Sequence, residues 1–288
     1  MKILHDDARA KLNLYLRVGT RRTDGYHELT TLFQTVALHD ELSLTLHRHG
    51  GISLRSNLPW LPRDGKNLAV RAAEAFFEAA GLVNAGLYLN IRKSIPIGAG
   101  MAGGSTDAAA VLRLLNRAFD LPLSPEALSA LALTLGADVP FCLTGGAALA
   151  GGVGERLQSV PTMPDCPIVI CKPPFSMPTK TAFALFDAYP PQDAPEETAL
   201  LAALMAGDLG QISAALYNSL EAPVEKMWPA VRHIRLQLLD LGALGARMTG
   251  SGSAVFGLFT DEKTAKTAFS ALKKQYKETY LTQPGGTV

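Results

Sequence analysis

Hydrophobic and polar residues alternate near the start of the chain. Ala10, Leu12, Leu14, Leu16 and Val18 are interleaved with Arg9, Lys11, Asn13, Tyr15 and Arg17, the two-residue period of a strand over Ala8 to Val18. Leu42 to Leu46 and the set Leu87, Leu89, Ile91 repeat that period and predict two more strands. Helical spacing interrupts them. Asn67 is placed to cap a helix through Ala80 that stops at Gly81. Ala108, Val111, Leu112 and Leu115 share one face of a helix starting near Ser105. Ser124-Pro125 opens a third helix, which ends at Gly136. In the second half, Pro167 to Cys171 reads as a strand, Tyr189 to Pro195 as a loop and Val231 to Leu239 as a helix. Ala254 to Phe259, Glu262 to Lys274 and Thr279 to Leu281 then read as strand, helix and strand. The mixture is neither a strict βαβ alternation nor all-β, so the class is α+β.

Composition narrows the field. A chain of 288 residues that is 48% hydrophobic can bury a core large enough for two lobes. With 27 Lys+Arg against 26 Asp+Glu there is no basic excess of the kind that general nucleic-acid binding uses. The three cysteines, Cys142, Cys166 and Cys171, are odd in number and lack zinc-ligand spacing, which suits a reduced compartment. The first residues lack the apolar run of a signal peptide. The uncharged stretch Val139 to Gly154 contains Pro140 and several glycines and is short for a membrane span. The expectation is a soluble cytoplasmic protein, a monomer or weak homodimer, without a nucleic-acid or membrane partner.

The segment Pro96-Ile97-Gly98-Ala99-Gly100-Met101-Ala102-Gly103-Gly104-Ser105-Thr106 follows a strand and enters a helix. Glycines without side chains let backbone N–H groups converge on an anion. A helix N-terminus adds unsatisfied donors and the positive end of its dipole. Ser105 and Thr106 place hydroxyls where phosphate oxygens or a phosphate-bound magnesium would lie. Gly98-x-Gly100-x-x-Gly103 also satisfies the letters of a dinucleotide-binding fingerprint, but that needs a second parallel strand bearing an acid. Here the helix runs into the turn Asp120 to Pro125. No G-x-x-x-x-G-K-[ST] loop and no H-R-D or D-F-G set is present. The loop is therefore a phosphate cradle of another design.

That loop, extended to Ala109, resembles the central motif of the GHMP kinases, named for galactokinase, homoserine kinase, mevalonate kinase and phosphomevalonate kinase. Ala10-Lys11-Leu12-Asn13-Leu14 resembles the family's N-terminal motif, and Thr249-Gly250-Ser251-Gly252-Ser253-Ala254 its C-terminal glycine-rich motif. Asp24-Gly25-Tyr26-His27, Leu32-Phe33-Gln34, Asn67 to Ala73 and Leu135 to Pro140 resemble one branch of the family. That branch phosphorylates the 2-hydroxyl of a cytidine-diphosphate-linked sugar alcohol in the non-mevalonate route to isoprenoids.

The resemblance implies a two-lobed GHMP-kinase-like fold with the active site between the lobes. Residues 1–157 would form an ATP-binding and catalytic domain, and 158–288 a substrate domain. ATP is the implied co-substrate and Mg²⁺ is expected with it. No carboxylate pair with evident metal-ligand spacing appears, and Ser105 is the candidate ligand. Asp138, between the Gly136 helix stop and Pro140, is the candidate base for the attacking hydroxyl. Lys11 is its cationic partner, and Asn13, in step with it, is a candidate for substrate hydroxyls. Asn67, Lys93, Pro96, Gly98, Gly100, Met101, Ala102, Gly103, Gly104, Ser105 and Thr106 fall where the family contacts ATP. Tyr26 would stack on cytosine and His27 hydrogen-bond to it, with Phe33, Thr179 and Phe183 completing the pocket. Lys180 stands where the family often has proline. Gly250, Ser251 and Gly252 would meet the substrate diphosphate. Three rivals remain open: another GHMP kinase of homoserine or mevalonate type, a non-catalytic nucleotide-binding protein on the same fold, and a nicotinamide-dependent oxidoreductase.

Overall fold

The alternating N-terminal segment forms β1 (Ile3–Arg21), which pairs antiparallel with β2 (His27–His47) along most of its length. The computed structural model describes residues 3–47, 50–82, 85–191 and 193–288. Met1 and Lys2 of the expected leaderless start, and Gln192 of the expected loop, lie outside them. The chain continues through β3 (Gly51–Ser56), α1 (Leu68–Ala79), β4 (Gly86–Arg92), α2 (Gly103–Ala118) and α3 (Pro125–Leu135). Next come α4 (Val139–Thr144), β5 (Ala147–Gly151), β6 (Arg156–Ser159), β7 (Ile168–Lys172) and α5 (Thr179–Ala188). The last part comprises α6 (Thr198–Ala206), α7 (Leu209–Ala214), β8 (Tyr217–Asn218), α8 (Glu221–Met227) and α9 (Pro229–Asp240). It ends with β9 (Gly245–Met248), β10 (Val255–Leu258), α10 (Glu262–Gln275) and β11 (Glu278–Thr282).

The expected helices form for the expected reasons. Asn67 Oδ1 accepts from Ala69 N–H at 3.0 Å and Ser124 Oγ from Ala127 N–H at 3.2 Å, each capping its helix. Gly81 takes a φ of +65° just past α1. Two elements differ from the periodicity. β2 is 21 residues long rather than a short strand at Leu42, because Thr31 to Val36 are buried on both faces and show no alternation. The turn expected around Asp138 opens α4, six residues long, with Pro140 in its first turn.

Strands β3-β4-β2-β1-β8 lie side by side, with β5 and β6 continuing beyond β2. A second, antiparallel sheet has the order β11-β7-β10-β9. The 157/158 division expected from sequence falls inside β6, and β8 joins the first sheet from the second half by pairing with Tyr15 and Leu16.

One core fills the space between the first sheet and α1 to α4. The second sheet is buried on both faces. Ile168, Ile170 and Phe256 pack with Ala10, Leu12, Leu14 and Tyr15 of β1, while Val169, Cys171 and Val255 pack with Ile234, Leu238 and Leu272 of the helices behind. Strand β1 thus serves both halves. Its pairing with β2 shifts register between Arg9 and Lys11 and again between Asn13 and Tyr15. Such irregularities bend a strand and re-aim its side chains. Here they bracket Lys11 and Asn13, whose polar face is buried in the molecule instead of meeting open solvent.

Candidate active site

A cleft of about 1330 Å³ runs between β1, the glycine loop, the end of α3 with the turn to Asp138, α5 and the turn before β10. Lys11, Asn13 and Asp138 line it together. Lys11 Nζ donates to Asn13 Oδ1 at 2.7 Å, lies 4.8 Å from the centre of the Phe33 ring and is 3.9 Å from Asp138 Oδ1. Phe33 is therefore a buried seat for Lys11, packed on Phe141 of α4. Asn13 Nδ2 donates to Thr31 Oγ1 at 2.8 Å, and that hydroxyl donates to Tyr15 O at 2.7 Å. Asp138 is the residue preceding α4, yet its side chain makes no capping bond. The carboxylate is left facing the cleft with Lys11 as its charged neighbour.

The glycine loop is shaped by contact with the second half. Gly100, at a φ of +75°, sits so close to the turn that an added Cβ would lie 2.1 Å from Thr249 O. Gly250, at +54°, would meet Gly100 O at 2.7 Å in the same way. Thr249 Oγ1 accepts from Asn13 N–H at 3.0 Å and Lys11 N–H donates to Met101 O at 3.3 Å. Loop, turn and β1 therefore lock together through backbone contacts and the Thr249 hydroxyl. Gly100→Ala should lose about 2 kcal/mol or more of stability, since backbone lies on both sides of the clash. A urea denaturation curve and a calorimetric ATP titration would show the lower midpoint and weaker binding together.

Helix α2 begins at Gly103, with Ala102 before it at a φ of +59° and no side-chain cap. Its first N–H groups are thus left for an anion. Ser105 lines the cleft, whereas the Thr106 side chain is buried and its hydroxyl donates to Gly103 O at 3.0 Å. Pro96, Gly98, Met101, Ala102, Gly103 and Gly104 also line the cleft. Asn67 does so too, but its amide is engaged locally, Nδ2 donating to Pro62 O at 2.8 Å as Oδ1 caps α1.

Lys93 lines the cleft with its charge already paired. Its Nζ is buried between Asp40 and Asp107, 2.6 Å from Asp107 Oδ2, and donates to Gly103 O at 3.2 Å. Asp40 Oδ1 in turn accepts from Ser94 N–H at 2.5 Å and Ile95 N–H at 2.8 Å. The triad joins both ends of the glycine loop, Ile95 on one side and Gly103 on the other. Burial pushes the Asp107 carboxyl up to about 8, Lys93 opposes the rise and Asp40 adds to it. Burial acts to lower Lys93, but the Asp107 and Asp40 charges outweigh it and raise it. One cation between two carboxylates, with one proton retained, gives the neutral arrangement burial favours.

At the far end, Tyr26 is exposed and His27 buried. The His27 ring stacks on Phe183 with centroids 5.5 Å apart, and its Nε2 lies 2.9 Å from Asp187 Oδ1. Phe183 thus packs on His27, and both line the cleft with Tyr26. Sequence reasoning misses Asp187, one turn beyond Phe183 on α5; its i,i+4 spacing from Phe183 is the only signal the chain offers. Thr179 Oγ1 lies 3.2 Å from Ser251 Oγ, linking α5 to the turn. Gly250 and Ser251 line the cleft, whereas Gly252 packs against Met248, where a Cβ would meet Sδ at 2.6 Å.

Comparison with known proteins places this geometry. The GHMP kinases N terminal domain matches residues 67–146, and the GHMP kinases C terminal domain residues 200–278. The 4-diphosphocytidyl-2-C-methyl-D-erythritol kinase of Moorella thermoacetica is 43% identical over 286 residues, covering 98% of this chain and 99% of that protein. The protein of the same description from Pelotomaculum thermopropionicum is 42% identical over 276 residues, 96% of each chain. The chain belongs to the GHMP kinase family. A crystal structure of 4-(cytidine 5'-diphospho)-2C-methyl-D-erythritol kinase, 38% identical, superposes with a TM-score of 0.82 over 98% of this chain and 100% of the other. Homoserine kinase from Cytophaga hutchinsonii, at 20% identity and a TM-score of 0.77, shares the GHMP fold.

Among the described residues no group of three or more metal-ligating side chains is assembled. The Ser105 hydroxyl lines the cleft and makes no protein hydrogen bond among the described residues, so it is one oxygen that would be open to a phosphate-bound Mg²⁺.

Proposed function

We propose that this GHMP kinase transfers the γ-phosphoryl group of ATP to the 2-hydroxyl of 4-diphosphocytidyl-2-C-methyl-D-erythritol. The observation that carries the reading is one cleft holding three chemistries in sequence: the glycine loop at α2, the Lys11–Asp138 pair, and the aromatic end at Tyr26, His27 and Phe183. The names and near-complete coverage of the relatives support the same acceptor.

In this reading the N–H groups of the loop and of the first turn of α2 hold the ATP phosphates. Ser105 would help those phosphates hold Mg²⁺, which would supply charge neutralisation. Asp138 takes the proton of the 2-hydroxyl as its oxygen attacks the γ-phosphorus. The bond to the β–γ bridging oxygen breaks and ADP departs. Lys11, fixed by Asn13 and Phe33, places a positive charge beside the reacting oxygens. His27, oriented through Nε2 by Asp187, presents its other nitrogen to the cytosine, with Tyr26 as a stacking face. Residues 1–157 carry the ATP loop and the base. Residues 158–288 carry α5 and the turn that complete the acceptor pocket.

A coupled assay of ADP release decides the acceptor. Turnover is expected with the cytidine-diphosphate methylerythritol and not with homoserine or mevalonate. Turnover with a non-nucleotide acceptor alone would refute the assignment.

A further inference from the structure

The turn from Thr249 to Ser253 is held from behind by a side chain that the sequence patterns do not single out. Asn218 ends β8 and is buried. β8 runs parallel to β1, and Ser219 N–H donates to Leu16 O at 2.8 Å. Asn218 Nδ2 donates to Met248 O at 2.7 Å and to Gly250 O at 2.9 Å, while its Oδ1 accepts from Leu220 N–H at 2.9 Å. Both amide donors are therefore spent on carbonyls at the start of the turn. Glu221 Oε2 accepts from Met248 N–H at 2.7 Å and fixes the preceding peptide as well.

The stereochemistry of the peptide unit then determines what faces the cleft. In a trans peptide the C=O and N–H point in opposite directions, and the only cis bond among the described residues is Gly252–Ser253. With Gly250 O drawn onto Asn218, the Ser251 N–H points away from Asn218, and Ser251 lines the cleft. That N–H has no protein acceptor among the described residues. A rotated peptide would turn a carbonyl oxygen to the cleft instead, which an anion would meet as a like partial charge.

We propose that Asn218 is a positioning residue for the acceptor: by holding the Gly250 carbonyl inward it aims the Ser251 N–H at a diphosphate oxygen of the cytidine-diphosphate substrate. The proposal rests on the acceptor assigned above and adds the group that orients its anion donor.

Asn218→Asp keeps the shape and the acceptor for Leu220 N–H but sets a carboxylate against two carbonyls. The acceptor KM should rise about tenfold or more, the scale of one lost charge-assisted hydrogen bond, with the ATP KM unchanged. Asn218→Ser, which keeps a short donor, should show a smaller rise. In a ¹⁵N-labelled sample, cytidine diphosphate should shift the Ser251 amide resonance of the wild type and leave it unmoved in Asn218→Asp. An unchanged acceptor KM in a folded variant, equal rises in both KM values, or a Ser251 amide that ignores cytidine diphosphate in the wild type would each overturn the proposal. If Asn218→Asp does not fold, the serine variant and the wild-type titration decide. Failure of the wild type to phosphorylate the acceptor would instead remove the assignment of function, which the amide titration does not test.

Discussion

Replacing Asp138 with asparagine should lower kcat by about 10²-fold or more and leave ATP affinity unchanged, the usual scale of a general base. Asparagine preserves the shape of the residue, and α4 does not depend on the side chain, since no capping bond is made. What is lost is the ability to accept the proton of the attacking hydroxyl. Lys11, 3.9 Å away, would then face a neutral amide. Single-turnover kinetics with the acceptor and a calorimetric ATP titration separate the two effects. Equal kcat values would remove Asp138 from the proton transfer. Because Lys11 and Asp138 serve one step, Lys11→Met added to Asp138→Asn should cost far less than the product of the separate losses.

Much of this site is legible in the sequence, and the parts that are not share a cause. Gly98 and Gly100 are legible because a strand-to-helix loop with repeated glycine answers a backbone need, and both take positive φ values. Asn67 and Ser124 are legible because capping is local. Asp40 is not, since in sequence it is one of two adjacent acids, with Glu41, in a strand of mixed apolar and polar residues. Its meaning comes from Lys93 and Ile95, more than 50 residues later. Asn218 is likewise silent until β9 and the turn come to lie beside it. The burial of Lys11 and Asn13 is hidden for a related reason. Alternation shows that a strand has two faces, but not that Phe33, Thr31 and the Thr249 turn will close over the polar one. The resemblance to the GHMP kinases supplies what alternation lacks at Lys11 and Asp138. It also assigns Lys93 to phosphate, and the structure answers with two buried carboxylate partners for a lysine that lines the cleft.

That answer carries the second large effect. Lys93→Met should destabilise the fold by about 3–5 kcal/mol, the cost of leaving a buried charge without its partner. Methionine matches the length of the lysine stem, so packing is nearly conserved and the loss is electrostatic. Asp40 and Asp107 would remain facing each other, both buried, with no cation between them. The effect should depend on pH with a definite sign. In the wild type Asp107 already sits at about 8 against an ordinary 3.8. The folded state therefore keeps a proton that the unfolded chain releases, and this term makes stability fall as pH rises between those values. Without Lys93, which opposes the rise, the Asp107 carboxyl favours the protonated form still more, so the variant's deficit should shrink as pH falls from 8 towards 5 and grow in the other direction. Urea denaturation of both proteins across that range is the measurement. A deficit independent of pH would mean that packing rather than charge is at stake. The ATP KM should also rise, since the same contacts hold Ile95 and Gly103, the two ends of the loop that cradles the phosphates.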